Sequence, residues 1–240
     1  MIRLDDPALV AAEYADEARL RARVEAQVAR KTGGDAREPA VAAVVEAAPR
    51  RVLEVGCGWG ELAEWIGRAT GAEVIAVDLS SRMVDLARER GVDARLGDVQ
   101  DLPFGDGEFD VAVAAWMLYH VPKLAQGIAQ LARVLRPGGR LVAVTNSAHH
   151  LEELRELVGS GPSPASFTRE TGEELLCASF VSIRRTDVDG TVEFADRDEV
   201  EAYIRASISM SPFVGNLPPV VDEPFVARSA SSIFVAEKAT

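Results

Sequence analysis

From Arg50 onward the chain alternates short apolar runs of β type with segments whose apolar residues recur every three or four positions. The β-type runs are 51–55, 73–77, 94–96, 109–115 and 140–145, and the helical segments between them are 61–69, 80–90 and 122–135. Such alternation predicts an α/β fold, a parallel sheet with helices on both faces. Turn residues mark the boundaries: Gly91 as a helix C-cap, Pro122 as a helix start and Pro137-Gly138-Gly139 as a tight reversal.

The ends of the chain read differently. Asp6-Pro7 is an N-cap followed by proline at the first helical position, and Leu20, Val24 and Val28 recur at four-residue spacing until Thr32-Gly33-Gly34. This predicts an N-terminal amphipathic helix or helix pair, with Glu17 and Arg21 at i,i+4 spacing on a solvated face. A second helix is expected over 39–48. Beyond Thr145 the pattern predicts a helix at 151–158, a Gly/Ser/Pro loop at 159–166, a helix at 169–178 and a strand near 180–185. Asp196 caps a further helix to Ser207, with Glu199 three residues on. The proline-rich stretch 209–224 reads as an irregular loop or lid, and 231–236 as a last strand. No repeat or linker divides the chain, so 1–240 reads as one domain: a helical cap (1–48), a cofactor-binding core (50–146) and a substrate-side part (147–240).

The most informative chemistry lies in Glu54-Val55-Gly56-Cys57-Gly58-Trp59-Gly60, a β-run passing through a glycine-rich turn into a helix. Glycine there lets a ligand approach the main chain, and in a doubly wound sheet this turn borders the ligand crevice. A dinucleotide site wants Gly-x-Gly-x-x-Gly, whereas Glu61 occupies the last of those positions. A pyrophosphate at that helix N-terminus would face the Glu61 and Glu54 carboxylates, so a cationic ligand suits the turn better.

Glu54-x-Gly56-x-Gly58-x-Gly60 resembles motif I of class I S-adenosylmethionine-dependent methyltransferases, and further segments follow in order. Asp78 stands where the family's acidic residue binds the ribose hydroxyls. Leu79 and Met83 resemble the apolar residues around adenine, and Gly97-Asp98-Val99 resembles the segment that recognises the adenine edge. Residues 109–113 and 133–139 complete the set, and Met117-Leu118-Tyr119-His120-Val121-Pro122 is similar to a bacterial small-molecule subgroup of the methyltransferase type 11 kind. Tyr14, Ala15, Leu20 and Arg23 match a further Tyr-Ala…Leu-x-x-Arg element, and Phe167-Thr168…Gly172 a C-terminal one. The resemblance implies a Rossmann-like, doubly wound, seven-stranded, mostly parallel sheet with N-terminal helices and a C-terminal insertion as a cap. It implies S-adenosyl-L-methionine as cofactor, held by Tyr14, Arg23, Glu54, Gly56, Cys57, Gly58, Gly60, Asp78, Leu79, Met83, Gly97, Asp98, Val99 and Ala115, and methyl transfer to a small-molecule acceptor. Two other readings stay open: a catalytically silent cofactor-binding regulatory or scaffold protein, and a nicotinamide-dependent oxidoreductase.

All three histidines, His120, His149 and His150, follow the carboxyl ends of predicted strands. His120 is the candidate general base, because imidazole titrates near working pH. Trp116, Tyr119, His149 and His150 are candidate substrate contacts. No cluster has metal-ligand spacing.

Composition narrows the partners. Asp and Glu total 38 against 26 for Lys and Arg, a net charge of −12, which disfavours nucleic acid and anionic membrane surfaces. Cys57 and Cys177 are far apart and form no disulfide framework, the N-terminus lacks the apolar core of a signal peptide, and no apolar run is long enough to cross a bilayer. A cytoplasmic monomer or homodimer is expected.

Overall fold

The computed structural model describes residues 3–15 and 17–240; residues 1, 2 and 16, and the side chains of 27–29 including Val28 of the predicted repeat, fall outside the description. Seven strands form one sheet: β1 (Arg51–Val55), β2 (Glu73–Asp78), β3 (Asp93–Leu96), β4 (Phe109–Ala115), β5 (Leu135–Asn146), β6 (Ser182–Phe194) and β7 (Phe225–Glu237). Their spatial order is β3-β2-β1-β4-β5-β7-β6. The first five run parallel, while β7 pairs antiparallel with both β5 and β6. Strand order reverses between β1 and β4, which opens a crevice at their carboxyl ends.

Alternation along the strands builds two cores. Val52, Val111, Val113, Val142 and Val144 face α3 (Arg37–Glu46) and α4 (Glu61–Thr70). Leu53, Val55, Ala112, Ala114 and Leu141 face the other way, onto Ile128 and Leu131 of α6 (Leu124–Val134) and Leu176 of α8 (Gly172–Leu176). α5 (Ser81–Glu89) adds Val84 and Ala87 to a smaller cluster. A separate C-terminal cluster joins α7 (Glu152–Val158), α9 (Arg197–Ala206) and Phe194. The N-terminal pair α1 (Pro7–Glu13) and α2 (Ala18–Ala29) contributes only the edge residue Ala26 to these clusters among the described residues.

Several local expectations are refined. Asp6 caps α1 by accepting from Ala8 N–H at 2.9 Å, and Asp196 caps α9 by accepting from Glu199 N–H at 2.9 Å. The Pro137-Gly138-Gly139 reversal lies inside β5: Leu135 pairs with Phe109 and Arg140 with Val111, so residues 136–139 bulge out. α6 starts at Leu124, two residues after Pro122. α8 is shorter than the predicted 169–178, because the Thr171 hydroxyl bonds Thr168 N–H at 3.0 Å in a side-chain turn before the helix begins. β6 and β7 are each 13 residues long, well beyond the predicted 180–185 and 231–236. Within 209–224 a 3₁₀ turn spans Ser211–Asn216. No helix among the described residues is long and apolar enough to cross a membrane.

Candidate active site

A cavity of about 830 Å³ lies across the carboxyl ends of β1, β2, β4 and β5, where Val55, Asp78, Ala115 and Thr145 line it. That volume falls in the usual range for small-molecule sites. The two ends of the cavity are chemically unlike.

One end is built by the turn after β1. Gly56 and Gly58 have φ of 71° and 53°, which glycine adopts at little cost. A Cβ on Gly56 would stand 2.6 Å from Cβ of Met117, so glycine lets the loop after β4 close on the turn. A Cβ on Gly58 would meet only Leu20 Cδ2, at 4.0 Å, which leaves the inner side of the turn open to a ligand. Asp78 accepts from the N–H of Gly58 and of Ser80, both at 2.9 Å. These two bonds leave lone pairs on the Asp78 carboxylate for a sugar diol. Asp98 is oriented by Gln100, whose backbone N–H donates at 2.8 Å.

Glu54 is 2% exposed and its Oε2 has no hydrogen-bond partner among the described residues. Burial, then the Asp78 charge, push its carboxyl up to about 8, and burial raises Asp78 as well. An orphaned carboxyl oxygen beside an open glycine turn fits the cationic ammonium and sulfonium groups of S-adenosylmethionine. Burial raises the Cys57 thiol, so it is an inert wall.

The N-terminal helices roof this end through polar contacts. Ser80 Oγ donates to Tyr14 O at 2.6 Å, and Arg82 pairs with Glu17 at 2.8 Å. The buried Glu13 carboxylate pairs with Arg19 at 3.0 Å and with Arg23, which also donates to Ala206 O. His120 completes the latch. Its Nδ1 lies 2.8 Å from Leu4 O, which can only accept, so Nδ1 carries the proton and Nε2 accepts from the Tyr14 hydroxyl at 2.9 Å. Burial pushes His120 down to about 4 and Tyr14 up to about 12, so both are neutral at pH 7. Neither ring nitrogen of His120 is free to take a proton directly from an acceptor.

The other end is formed after β5 and by α7 and α9. Trp116, with φ of 52°, and Leu151, with φ of 54°, hold unfavourable left-handed backbone conformations on this wall. Trp116 Nε1 donates to Asn146 Oδ1 at 3.1 Å. Tyr119 also lines the cavity, and burial raises its hydroxyl. His150 is 8% exposed; its Nδ1 accepts from Ala230 N–H at 3.1 Å, and burial followed by nearby cations push it down to about 3.

Three predicted site residues lie off the cavity wall. Met83 is fully enclosed in the core, because α5 turns that face onto the sheet. Gly60 serves packing: a Cβ there would stand 2.9 Å from Ala87 Cβ. His149 sits outside the main cavity and pairs with Glu152 at 3.0 Å on an exposed face. The remaining predicted residues line the cavity. Sequence reading missed Lys31, Arg155, Tyr203 and Met210. Arg155 carried a readable signal, a charge on the apolar stripe of Leu151, Leu154 and Val158; the others come together only through the fold.

Residues 53–143 match the family model described as a methyltransferase domain. Over 102 residues the chain is 41% identical to methyltransferase GfsG of Streptomyces halstedii, covering 39% of this chain and 37% of that protein. It is 38% identical over 115 residues to a demethylmenaquinone methyltransferase of Thermus thermophilus (45% and 52%), and 42% identical over 112 residues to a ubiquinone biosynthesis O-methyltransferase of Xanthomonas oryzae pv. oryzae (44% and 46%). The chain thus spans about half or less of the length of these relatives. Two solved structures share the fold at a TM-score of 0.63: the YcgJ protein from Bacillus subtilis (18% identity; 85% of this chain, 99% of that one) and the [4+2]-cyclase SpnF (20% identity; 96% and 95%). With the glycine turn, Asp78 and Asp98 on one wall of the cavity, the core of this chain, residues 53–143, is similar to a methyltransferase domain.

Proposed function

We propose that the chain transfers a methyl group from S-adenosylmethionine to a small-molecule acceptor. The observation that carries this reading is the continuity of the cavity, from the acidic wall at Glu54, Asp78 and Asp98, past Ala115 and Trp116, to His150, Tyr203 and Met210. The cofactor supplies a methyl group already activated on a sulfonium. The residues of the chain therefore have mainly to hold, align and dehydrate the reactants, and positioning accounts for most of such an acceleration. Glu54 and Asp78 hold the cationic and ribose parts; Leu79 and Asp98 take the adenine. The segments 1–48 and 147–240 wall the acceptor chamber as parts of the same unit.

A proton leaving a hydroxyl or amine acceptor passes to the Tyr14 oxygen as the Tyr14 proton moves to His120 Nε2. His120 thus acts through Tyr14, to which its Nε2 is hydrogen-bonded at 2.9 Å, although burial makes the ring a weaker base than free imidazole. Oxidoreductase chemistry is disfavoured because Glu61 lines the cavity in the first turn of α4, where a pyrophosphate would meet it. A [4+2]-cyclase shares this fold at 20% identity, so the fold alone does not distinguish methyl transfer from a second reading, cofactor binding without methyl transfer. Cytoplasmic location, where thiols such as Cys57 and Cys177 stay reduced, and a monomeric or homodimeric state complete the proposal.

Calorimetric titration with S-adenosylhomocysteine, joined to an assay of its release from S-adenosylmethionine over a panel of acceptors, tests both readings. We expect binding and turnover, with Tyr14→Phe and His120→Asn lowering turnover at least about tenfold while cofactor affinity changes little. Binding without turnover on any acceptor selects the second reading.

A further inference from the structure

The acceptor end carries more positive charge than its neighbours neutralise. Arg155 is 8% exposed and has no carboxylate within ion-pair distance among the described residues. Its guanidinium donates to the carbonyls of His150 and Ala148, and its Nε–H has no partner. Of the three acidic residues on its own helix, Glu152 pairs with His149, Glu153 accepts from Arg228 N–H at 2.8 Å, and Glu156 lies outside ion-pair distance, so all three act on Arg155 only through their field. A buried cation left in this state is costly, and such groups are normally paired.

Two further donors share the wall. Because His150 Nδ1 accepts from Ala230 N–H, its proton sits on Nε2, a buried atom without an acceptor. Lys31 lines the same cavity and has no side-chain partner among the described residues, since its acidic neighbour Asp35 is held by Arg37 at 2.6 Å. Arg155, His150 and Lys31 all line this one cavity, and the Arg155 guanidinium donates to the carbonyl of His150 itself. Arg169, the third cation near that ring, is already paired with Asp189.

We propose that the acceptor is a small carboxylic acid, its carboxylate seated between the Lys31 ammonium, His150 Nε2–H and Arg155 Nε–H. Two separate N–H donors and one ammonium match the two oxygens of a monoanion. The inference rests on the methyl-transfer reading, because it treats this end as the acceptor chamber. Against a net charge of −12, the wall is a local reversal of sign that selects which small molecules enter.

Calorimetry on the protein, alone and saturated with S-adenosylhomocysteine, tests this with 4-hydroxycinnamate, 4-hydroxycinnamamide and 4-nitrophenyl phosphate. The acid is expected to bind at least about tenfold more tightly than the amide, the scale of one hydrogen bond to a charged group. Lys31→Met, at a side chain with no bonds to lose, should remove most of that preference and leave S-adenosylhomocysteine affinity unchanged, and Lys31→Arg should keep it. Equal binding of acid and amide, no binding of the acid, or preference for the phosphate would overturn the proposal. Normal S-adenosylhomocysteine binding with no acid preference defeats this inference alone. Loss of S-adenosylhomocysteine binding with the acid preference intact defeats the methyltransferase reading alone.

Discussion

The two ends of the cavity differ in how they are assembled. The cofactor end comes largely from one contiguous stretch, 54–60, with Asp78 and Asp98 at the ends of the next two strands, and its polar groups are mostly acidic. The acceptor end gathers Lys31 from beyond α2, His150 from the loop after β5, Arg155 from α7 and Tyr203 from α9, and its unpartnered groups are donors and cations. A local strand-turn-helix pattern fixes the first end, whereas only the packing of distant elements fixes the second. One end is thus suited to a common cofactor, and the other is free to vary with the acceptor.

Substitutions at the cofactor end should separate its backbone requirement from its charge. The largest effect is expected for Gly56→Ala, which combines a positive φ with a Cβ 2.6 Å from Met117. It should cost roughly 2–4 kcal/mol of stability in urea unfolding; a loss below about 1 kcal/mol would mean that the turn and the loop after β4 are not closely packed. Asp78→Ala should weaken S-adenosylmethionine binding by roughly 1.5–3 kcal/mol by calorimetry and leave acid-over-amide preference at the far end intact. Loss of both together would show that the ends are not independent.

Glu54 gives a pH signature. Its carboxyl is pushed up to about 8 by burial, and a cationic ligand favours the ionised form, so binding releases a proton. Cofactor affinity should therefore fall as pH drops below about 8, by up to about tenfold per unit, and level off above it. Stability of the free protein has the opposite sign. The folded state holds this proton where the unfolded chain has lost it, so Glu54 contributes a decline in stability as pH rises towards 8, opposed below about 6.5 by the buried neutral His120 and His150 and visible above it. Glu54→Gln should flatten the affinity profile near pH 8 and remove the Glu54 share of the stability slope, leaving that of Asp78, and an unchanged affinity profile in that variant would remove Glu54 from the cofactor wall. The smallest effect is expected for Met83→Leu: less than about 1.5 kcal/mol of stability and no change in cofactor affinity, since Met83 is enclosed in the core.

Legibility in the sequence follows the same division. Four of the five parallel strands were readable because each contains an apolar run between turn residues, β3 (Asp-Ala-Arg-Leu) from its place in the strand-helix alternation, and the Asp196 cap because its bond is local. β6 was readable only at its start, near 180–185, since it is an edge strand that continues with Arg184, Arg185, Asp187 and Asp189 in place of an apolar alternation. The start of β7 is obscured by the small and polar stretch Ala227 to Ser232. In the site, Asp78 and Asp98 follow from strand ends. The bond between Tyr14 and His120 spans 106 positions and left no local trace. Met83 misled because a methionine on a helix beside the crevice looks the same whether it faces the ligand or the sheet.

The roof has a kinetic consequence. α1 and α2 are fastened to the core by hydrogen bonds and ion pairs at Tyr14, Ser80, Glu17 and His120, with little apolar surface in the core clusters. Segments attached in this way open locally at a small fraction of the free energy of global unfolding. Amide protons of residues 8–15 and 17–26 should then exchange far faster than those of β1 and β4, and the residence time of the spent cofactor should follow the opening rate of this roof.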